Sequence, residues 1–202
     1  MTGLIDNRVF VLILQHPQER REALSTAPLV ATTLTRAKVA IGLSWPSLAR
    51  ALGAAAEPQE WGVLHLGAAR PQAAEERREL MLVDGRGELL AKPNTVLAGL
   101  KGIVVLDGTW SQAKTLWWRN PWLLRLHRIV LDPPRPAQLG RLRREPRREA
   151  LSTVEATALA LRHLEAGPAA ADSLGAALDA MLAAATRPRP GRRRSRRRPV
   201  RR

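Results

Sequence analysis

The residues best suited to chemistry stand at one junction of the chain, directly after a short apolar run. The run Ile103–Leu106 is wholly apolar and mostly β-branched, as in a strand that is buried on both faces. Asp107 and Gly108 follow it, and Thr109 and Trp110 come next. Ligands of open α/β sheets collect at the carboxyl ends of the strands, where this carboxylate is expected. Asp107 is therefore the first candidate for a catalytic residue, although a simple role in a turn would also explain it.

Two hydroxyl residues have the spacing of a capping box, so each predicts the start of a helix. Thr109 precedes Gln112 by three residues, and Ser152 precedes Glu155 by the same distance. A helix start can also bind a carboxylate or a phosphate through its free N–H groups. Capping alone would explain all four residues. Trp110 falls in the first turn of the first helix, beside the aspartate, and we expect it to form a wall of the site.

Apolar segments that alternate with helical ones predict an α/β fold with a mainly parallel sheet. Strands are predicted over residues 9–14, 39–43, 61–66, 103–106 and 128–131. Helices are predicted over residues 29–38, 47–52, 95–100, 109–118, 152–165 and 172–185, with Ser44 as a helix cap and a hairpin or loop over 80–90. Nothing resembles a glycine-rich dinucleotide motif or a P-loop, so those two nucleotide sites are not expected.

Composition predicts one globular domain followed by a basic tail. The chain has 202 residues, of which 45% are hydrophobic, enough to bury a substantial core. Residues 187–202 are almost entirely Arg and Pro and contain ten arginines, against a net charge of +15 for the whole chain. Such a segment cannot form a packed core. We therefore expect a single domain over 1–186 and a disordered tail over 187–202, which either attracts phosphate backbones or is a dispensable extension.

Several classes of site and location are excluded by composition. The chain has no cysteine, so it cannot form disulfides, thiolate zinc sites or a cysteine nucleophile, and no metal site is predicted. The apolar run Val9–Leu14 is too short for a signal-peptide core or a membrane span. We therefore expect a cytoplasmic protein with no membrane partner. The oligomeric state is not determined by the sequence, which slightly favours a monomer.

Three motifs, taken in order, resemble the DTW-domain family of tRNA-uridine aminocarboxypropyltransferases. Asp107–Lys114 reads D-G-T-W-S-Q-A-K and resembles the D-x-T-W signature. Arg144–Ala156 carries L-S-T-V-E-A after an arginine-rich approach, and Leu14–Glu19 is similar to the family's Q-H-P-x-E. Together they span about Val9 to Leu164. The chain departs from the family at 27–29, where a glycine and an arginine are usual, and in lacking a cysteine cluster near the amino terminus.

The resemblance implies a fold, a reaction and a set of site residues. It implies a SPOUT-like sheet with a carboxyl-terminal trefoil knot and S-adenosylmethionine as co-substrate. The 3-amino-3-carboxypropyl group would pass to N3 of a tRNA uridine, leaving methylthioadenosine. Asp107 would act as the general base once desolvated, and Trp110 would wall the site or stack on the uracil. The loops expected to hold S-adenosylmethionine contain Thr26, Leu106, Thr109, Leu131, Leu151, Ser152 and Thr153.

Contacts with tRNA are predicted from a histidine and from a long basic loop punctuated by glycine and proline. So many arginines in one loop favour phosphate contact over a merely solvated face. The predicted RNA-binding residues are His16, Arg141, Arg143, Arg144, Arg147 and Arg148. Two other functions stay open at this point. One is an RNA methyltransferase on the same fold, and the other is an RNA-binding protein without catalytic activity.

Overall fold

A six-stranded sheet organises the part of the chain that the computed structural model describes, residues 3–22, 24–64, 78–133 and 151–186. The strands are β1 (Phe10–Gln15), β2 (Ala37–Ile41), β3 (Trp61–Leu64), β4 (Leu80–Val83), β5 (Gly102–Asp107) and β6 (His127–Leu131). Their order in the sheet is β2-β1-β5-β3-β6-β4. All neighbours are parallel except β4, which is antiparallel to β6 at one edge. The prediction of an α/β fold with a mainly parallel sheet is confirmed.

Helices connect the strands and cover both faces of the sheet. They are α1 (Ala27–Thr33), α2 (Leu48–Leu52), α3 (Pro93–Gly99), α4 (Trp110–Arg119), α5 (Thr153–Leu164) and α6 (Ala169–Thr186). Short 3-10 turns occur at Glu19–Arg21, Pro58–Glu60 and Pro121–Arg125. Among the described residues, no helix has both the length and the hydrophobicity needed to cross a membrane.

The side chains of the central strands alternate between two apolar cores, one on each face. Val11 and Ile13 belong to a first core with α1, α5 and α6. Leu12 and Leu14 belong to a second core with α2 and α4. Every residue of β5 is buried, which explains its continuous apolar sequence, because both faces of a parallel sheet are covered. Full burial of each such side chain stabilises the fold by about 1.5–3 kcal/mol.

Several predicted boundaries were wrong, and in three places a tertiary contact overrides a local pattern. The helix predicted to reach residue 38 ends at Thr33, since Leu34 forms a parallel bridge with Ile5 and β2 then begins. Strand β1 extends to Gln15, whose partner is on β5. The predicted cap Ser44 instead donates its hydroxyl to the Arg119 carbonyl. The cap of α2 is Ser47, which accepts a hydrogen bond from the Arg50 N–H.

The segment 80–90 forms β4 and a tight turn, in agreement with the predicted hairpin or loop. Asp84 Oδ1 accepts hydrogen bonds from the Arg86 and Glu88 backbone N–H groups at 2.7 and 3.0 Å. These two hydrogen bonds, from Glu88 first and from Arg86 second, are the main cause of the lowered pKa of Asp84. An antiparallel bridge between Val83 and Leu89 closes the turn.

Candidate active site at the carboxyl ends of β1 and β5

Asp107 lies at the carboxyl edge of the sheet, where strands β1 and β5 end side by side. Gln15 is its register partner on β1, and both side chains are almost fully buried, with exposed fractions of 2% for Gln15 and 4% for Asp107. The Gln15 Nε2 donates to Asp107 Oδ2 at 2.7 Å and to the Ser25 hydroxyl at 3.0 Å. The parallel register therefore places a donor against the candidate base.

The first turn of α5 supplies the second partner of the carboxylate. The Thr153 hydroxyl donates to Asp107 Oδ1, and Thr153 is itself buried. The backbone N–H of Val154 donates to the Thr26 hydroxyl at 3.3 Å, so the start of α5 is also joined to the start of α1. Three distant parts of the sequence therefore meet around Asp107.

The carboxylate of Asp107 has a hydrogen-bond donor on each oxygen, and both donors are neutral. Within the described residues no cation forms an ion pair with it. A buried charge is costly unless it is hydrogen-bonded or paired, and here hydrogen bonds alone hold it. Such a group can accept a proton from a substrate or balance a positive charge on one.

Gly108 allows the chain to turn tightly between Asp107 and α4. Its φ is +154°, and a Cβ at this position would lie 2.9 Å from Gln112 Cβ and 3.3 Å from His16 Cβ. The backbone N–H of His16 donates to the Asp107 carbonyl at 2.9 Å. A glycine is therefore needed to bring α4 and the loop after β1 into contact.

The capping box of α4 is confirmed, and its glutamine also reaches another loop. The Thr109 N–H donates to Gln112 Oε1 at 2.8 Å, and the Gln112 N–H donates to Thr109 Oγ1 at 3.4 Å. The side-chain Nε2 of Gln112 donates to Gln18 Oε1 at 3.2 Å. Ser152 and Glu155 form the second predicted capping box, at the start of α5. Both helix starts consequently face the same edge of the sheet as Asp107.

Trp110 lies in the first turn of α4, three residues after Asp107, and its side chain is 42% exposed and belongs to neither core. The ammonium group of Lys114 lies 5.4 Å from the centroid of that ring, within the range of a cation–π contact. Trp118, at the end of the helix, is 78% exposed. Ala113 and Leu116 are the buried residues of this helix, and Trp117 is partly buried against the second core.

The remaining predicted residues fall into three groups. Leu106 and Leu151 adjoin Asp107 and Ser152 along the chain, at the site itself. Leu131 ends β6 at the same edge, but β3 separates β6 from β5. The predicted phosphate-binding residues Arg141, Arg143, Arg144, Arg147 and Arg148 lie outside the described residues, as does the tail 187–202. No group of three or more metal-ligating side chains occurs among residues that are described.

Sequence reasoning did not predict Gln15 and Ser25 as residues of the site, and it predicted Gln112 only as part of a capping box. Gln15, Ser25 and Gln112 hold the aspartate or the loops around it. One signal was available for Gln15, since an amide directly after six consecutive apolar residues is unusual for a buried strand. Its partner could not be found in this way, because 92 residues separate it from Asp107.

Comparison with known proteins gives a family and a set of relatives. The sequence model of the DTW domain matches residues 2–186. Proteins named tRNA-uridine aminocarboxypropyltransferase 2 from Mus musculus and Macaca fascicularis are 34% and 32% identical over 155 residues. The protein of that name from Drosophila melanogaster is 28% identical over 161 residues.

The matched regions make up 76–78% of this chain and 47–57% of the relatives, so the chain spans about half the length of the curated relatives. No solved structure matches it.

Proposed function

We propose that this chain, which belongs to the DTW domain family, modifies tRNA by aminocarboxypropyl transfer. The group would pass from S-adenosylmethionine to N3 of a uridine, with methylthioadenosine as the second product. The names of the relatives support this reaction. The single structural observation that carries it is the buried Asp107 carboxylate, which accepts hydrogen bonds from two neutral donors at the edge of the sheet where ligands collect.

Asp107 is proposed as the general base. The N3–H of uridine must lose its proton as the new N–C bond forms and the C–S bond of the donor breaks, and the proton passes to the carboxylate and then to solvent. Gln15 and Thr153 fix the direction of both carboxylate oxygens. Fixed orientation matters because the nucleophile must approach in line with the breaking bond. Trp110 would provide the flat surface on which the uracil stacks.

The residues at this edge fit S-adenosylmethionine by their chemistry. When bound, this co-substrate supplies a methylene carbon made electrophilic by the sulfonium. The partly exposed Leu131 and Leu151, with the backbone at Leu106, would hold its adenine and ribose. The hydroxyls of Thr109 and Ser152 lie at the starts of α4 and α5, where a carboxylate binds favourably. Thr26 and Thr153 would act indirectly, since their hydroxyls already bond to other parts of the site.

The trefoil knot of a SPOUT-like fold is part of this proposal. Strand β6 lies beyond β3 from β5, yet α5, which follows it in the chain, begins against Asp107 of β5. We propose that the chain between these two elements, residues 134–150, takes part in the knot. Its arginines, together with His16, would contact tRNA phosphates. We further propose that 1–186 acts as one domain and that the basic tail 187–202 adds non-specific attraction for RNA.

The direct test is to incubate the purified chain with total tRNA and S-adenosylmethionine and to analyse the nucleosides by mass spectrometry. A uridine heavier by one aminocarboxypropyl group is expected. A gain of one methyl group would instead mean a methyltransferase, with the other carbon of the sulfonium presented to the base. Tight RNA binding with no gain of mass and no binding of S-adenosylmethionine would contradict the proposed reaction and favour a non-catalytic RNA-binding protein.

A further inference from the structure

One face of α4 is exposed, aromatic and basic, and the chemistry assigned to Asp107 does not require it. We call it the tryptophan face and define it by Trp110, Lys114, Trp117 and Trp118. Trp110 is 42% and Trp118 78% exposed. Of the five large apolar side chains that are exposed in the described residues, three fall between positions 110 and 124. Exposed apolar side chains that cluster in this way indicate an interaction surface.

Helix geometry places the four side chains on one side of α4. Successive residues turn by about 100°, so positions 110, 114, 117 and 118 fall within an arc of about 100°. Ala113 and Leu116 point to the second core, and Trp117, at the border of the face, is partly buried against that core. The face runs for about 12 Å along the helix axis, from Trp110 to Trp118. It begins next to the candidate base and is therefore continuous with the candidate active site.

The segment that contains this face carries charge of one sign only. Residues 108–131 contain no Asp or Glu, whereas Lys114, Arg119, Arg125 and Arg128 are cationic. None of these four cations forms an ion pair with any residue that the structure describes. The guanidinium of Arg128 lies 5.8 Å from the ring centroid of Trp117. The surface consequently combines aromatic rings with positive charges that form no salt bridge to any described residue.

Aromatic rings interleaved with cations form the recognition surface of single-stranded nucleic acids. Unpaired bases stack on the rings and the phosphates lie against the cations. A second copy of this chain fits less well, since a two-fold contact would bring the same cations opposite each other. An acidic protein partner would satisfy the charges but would leave the exposed ring faces of Trp118 without a matching planar group.

We propose that the tryptophan face binds the single-stranded tRNA segment next to the target uridine. A flanking base stacks on Trp118, and its phosphates contact Lys114 and Arg119. This inference rests on the proposed function, because the uridine held at Asp107 and Trp110 sets where the flanking nucleotides begin. It assigns to α4 a role in choosing an unpaired substrate, separate from the transfer step.

The test compares Trp118→Ala with Trp118→Phe in the full chain. Total tRNA, a short oligouridylate and a fully paired RNA duplex serve as probes in a binding assay. Because Trp118 is largely exposed, neither variant should alter thermal unfolding. Trp118→Ala should bind tRNA and oligouridylate about 5- to 100-fold more weakly, the range for losing one stacking partner. Trp118→Phe should retain most of the affinity, and binding to the duplex should not change.

Lys114→Ala tests the cationic part against a matched control. Lys92 is exposed and directly precedes α3, whose Val96 and Leu97 pack on the first core, across the sheet from α4. Lys114→Ala should reduce the slope of log affinity against log salt concentration by about 1. Lys92→Ala removes the same charge and should leave the slope unchanged. Equal effects of the two variants would contradict a specific role for the tryptophan face.

Transfer kinetics separate this inference from the proposed function. Trp118→Ala should raise KM for tRNA while kcat and the binding of S-adenosylmethionine stay at the wild-type level. If Trp118→Ala transferred with an unchanged KM for tRNA, the tryptophan face would not bind the substrate, and the proposed function would be unaffected. If the wild-type chain transferred nothing but Trp118→Ala still weakened oligouridylate binding, the proposed function would be wrong and the tryptophan face would still be an RNA-binding surface. A dimer that Trp118→Ala dissociates, with RNA binding unchanged, would assign the face to a second copy.

Discussion

The two edges of the same sheet use their polar groups in opposite ways. At the amino edge, Glu165 accepts the backbone N–H groups of Arg8 and Val9 at 3.1 and 2.8 Å. The Arg8 guanidinium donates to the Leu100 and Leu164 carbonyls at 2.8 and 2.6 Å. These contacts tie the end of α5 to the start of β1 and satisfy charged groups of both signs. They stabilise the fold, and each of the two charged side chains has hydrogen-bond partners.

At the carboxyl edge, the buried carboxylate of Asp107 accepts hydrogen bonds from Gln15 and Thr153, both neutral, and forms no ion pair with any described residue. At the amino edge, the carboxylate of Glu60 instead forms an ion pair with Lys101. The distance from Lys101 Nζ to Glu60 Oε1 is 2.7 Å, and both side chains are substantially exposed. A solvent-exposed pair contributes little to stability, and a buried lone carboxylate costs stability. Under the proposed function, the amino edge serves folding, whereas the carboxyl edge keeps a costly group for the transfer reaction.

The largest expected effect is that of Asp107→Asn on transfer. Loss of a general base should lower the transfer rate by about 10²- to 10⁴-fold, while the similar shape of asparagine should preserve the fold. Nucleoside mass spectrometry over time gives the rate, and thermal unfolding checks the fold. Glu60→Gln, at the amino edge, is the matched control and should leave the rate unchanged. Full activity of Asp107→Asn would remove the aspartate from the reaction.

A smaller loss is expected from Thr153→Val, which removes one of the two donors to Asp107 but keeps the side-chain shape. Misorientation of the base should lower the rate by about 10- to 100-fold, and losing a hydrogen bond to a charged group should destabilise the fold by about 1.5–3 kcal/mol. Thr153→Ser retains the hydroxyl and should restore most of the rate. If Ser and Val behaved alike, the hydroxyl would have no part in holding the carboxylate.

Gly102→Ala tests the amino edge at the first residue of β5, the strand that ends at Asp107. A Cβ at Gly102 would lie 2.5–2.7 Å from the ring of Trp61, and such overpacking costs about 1–3 kcal/mol. We expect a lower denaturation midpoint with normal transfer kinetics in the folded protein. Gly175→Ala in α6 is the control, since no described residue lies within 4 Å of where the added Cβ would be; it should be neutral or slightly stabilising.

Glu165→Ala should break the contacts of the amino edge. Two backbone N–H groups lose their acceptor, which should lower the free energy of unfolding by about 1–2 kcal/mol. Denaturant titration measures this change, and the rate of transfer should not fall at temperatures where the variant is folded. A large loss of rate in the folded variant would contradict the division of roles between the two edges.

The smallest effect concerns Asp84, an exposed carboxylate in the turn after β4. Backbone hydrogen bonds lower its pKa in the folded protein, so its contribution to stability is present above the ordinary pKa of about 4 and is lost as pH falls through the lower folded value. Stability curves of the wild type and of Asp84→Asn should therefore differ at neutral pH and converge in acid. Transfer should be unaffected, because the turn lies away from Asp107.

Local patterns predicted the elements around the site correctly. The apolar run before Asp107 is strand β5, and both capping boxes begin helices where their spacing placed them. Errors occurred where a distant strand competed with local preference, as at residues 34–41, which pair with Ile5 and with β1 instead of extending α1. Ser44 was misassigned for the same reason, since its partner Arg119 is 75 residues away.

The sequence by itself determined that Asp107 follows a buried strand and stands before a capped helix, because burial periodicity and capping involve residues only a few positions apart. Only the tertiary structure decided what surrounds the carboxylate. Gln15 and Thr153 reach it from positions 92 and 46 residues away, through the pairing of β1 with β5 and the return of α5. Strand order arises from how two apolar faces are buried together, and no short-range pattern in the chain encodes it.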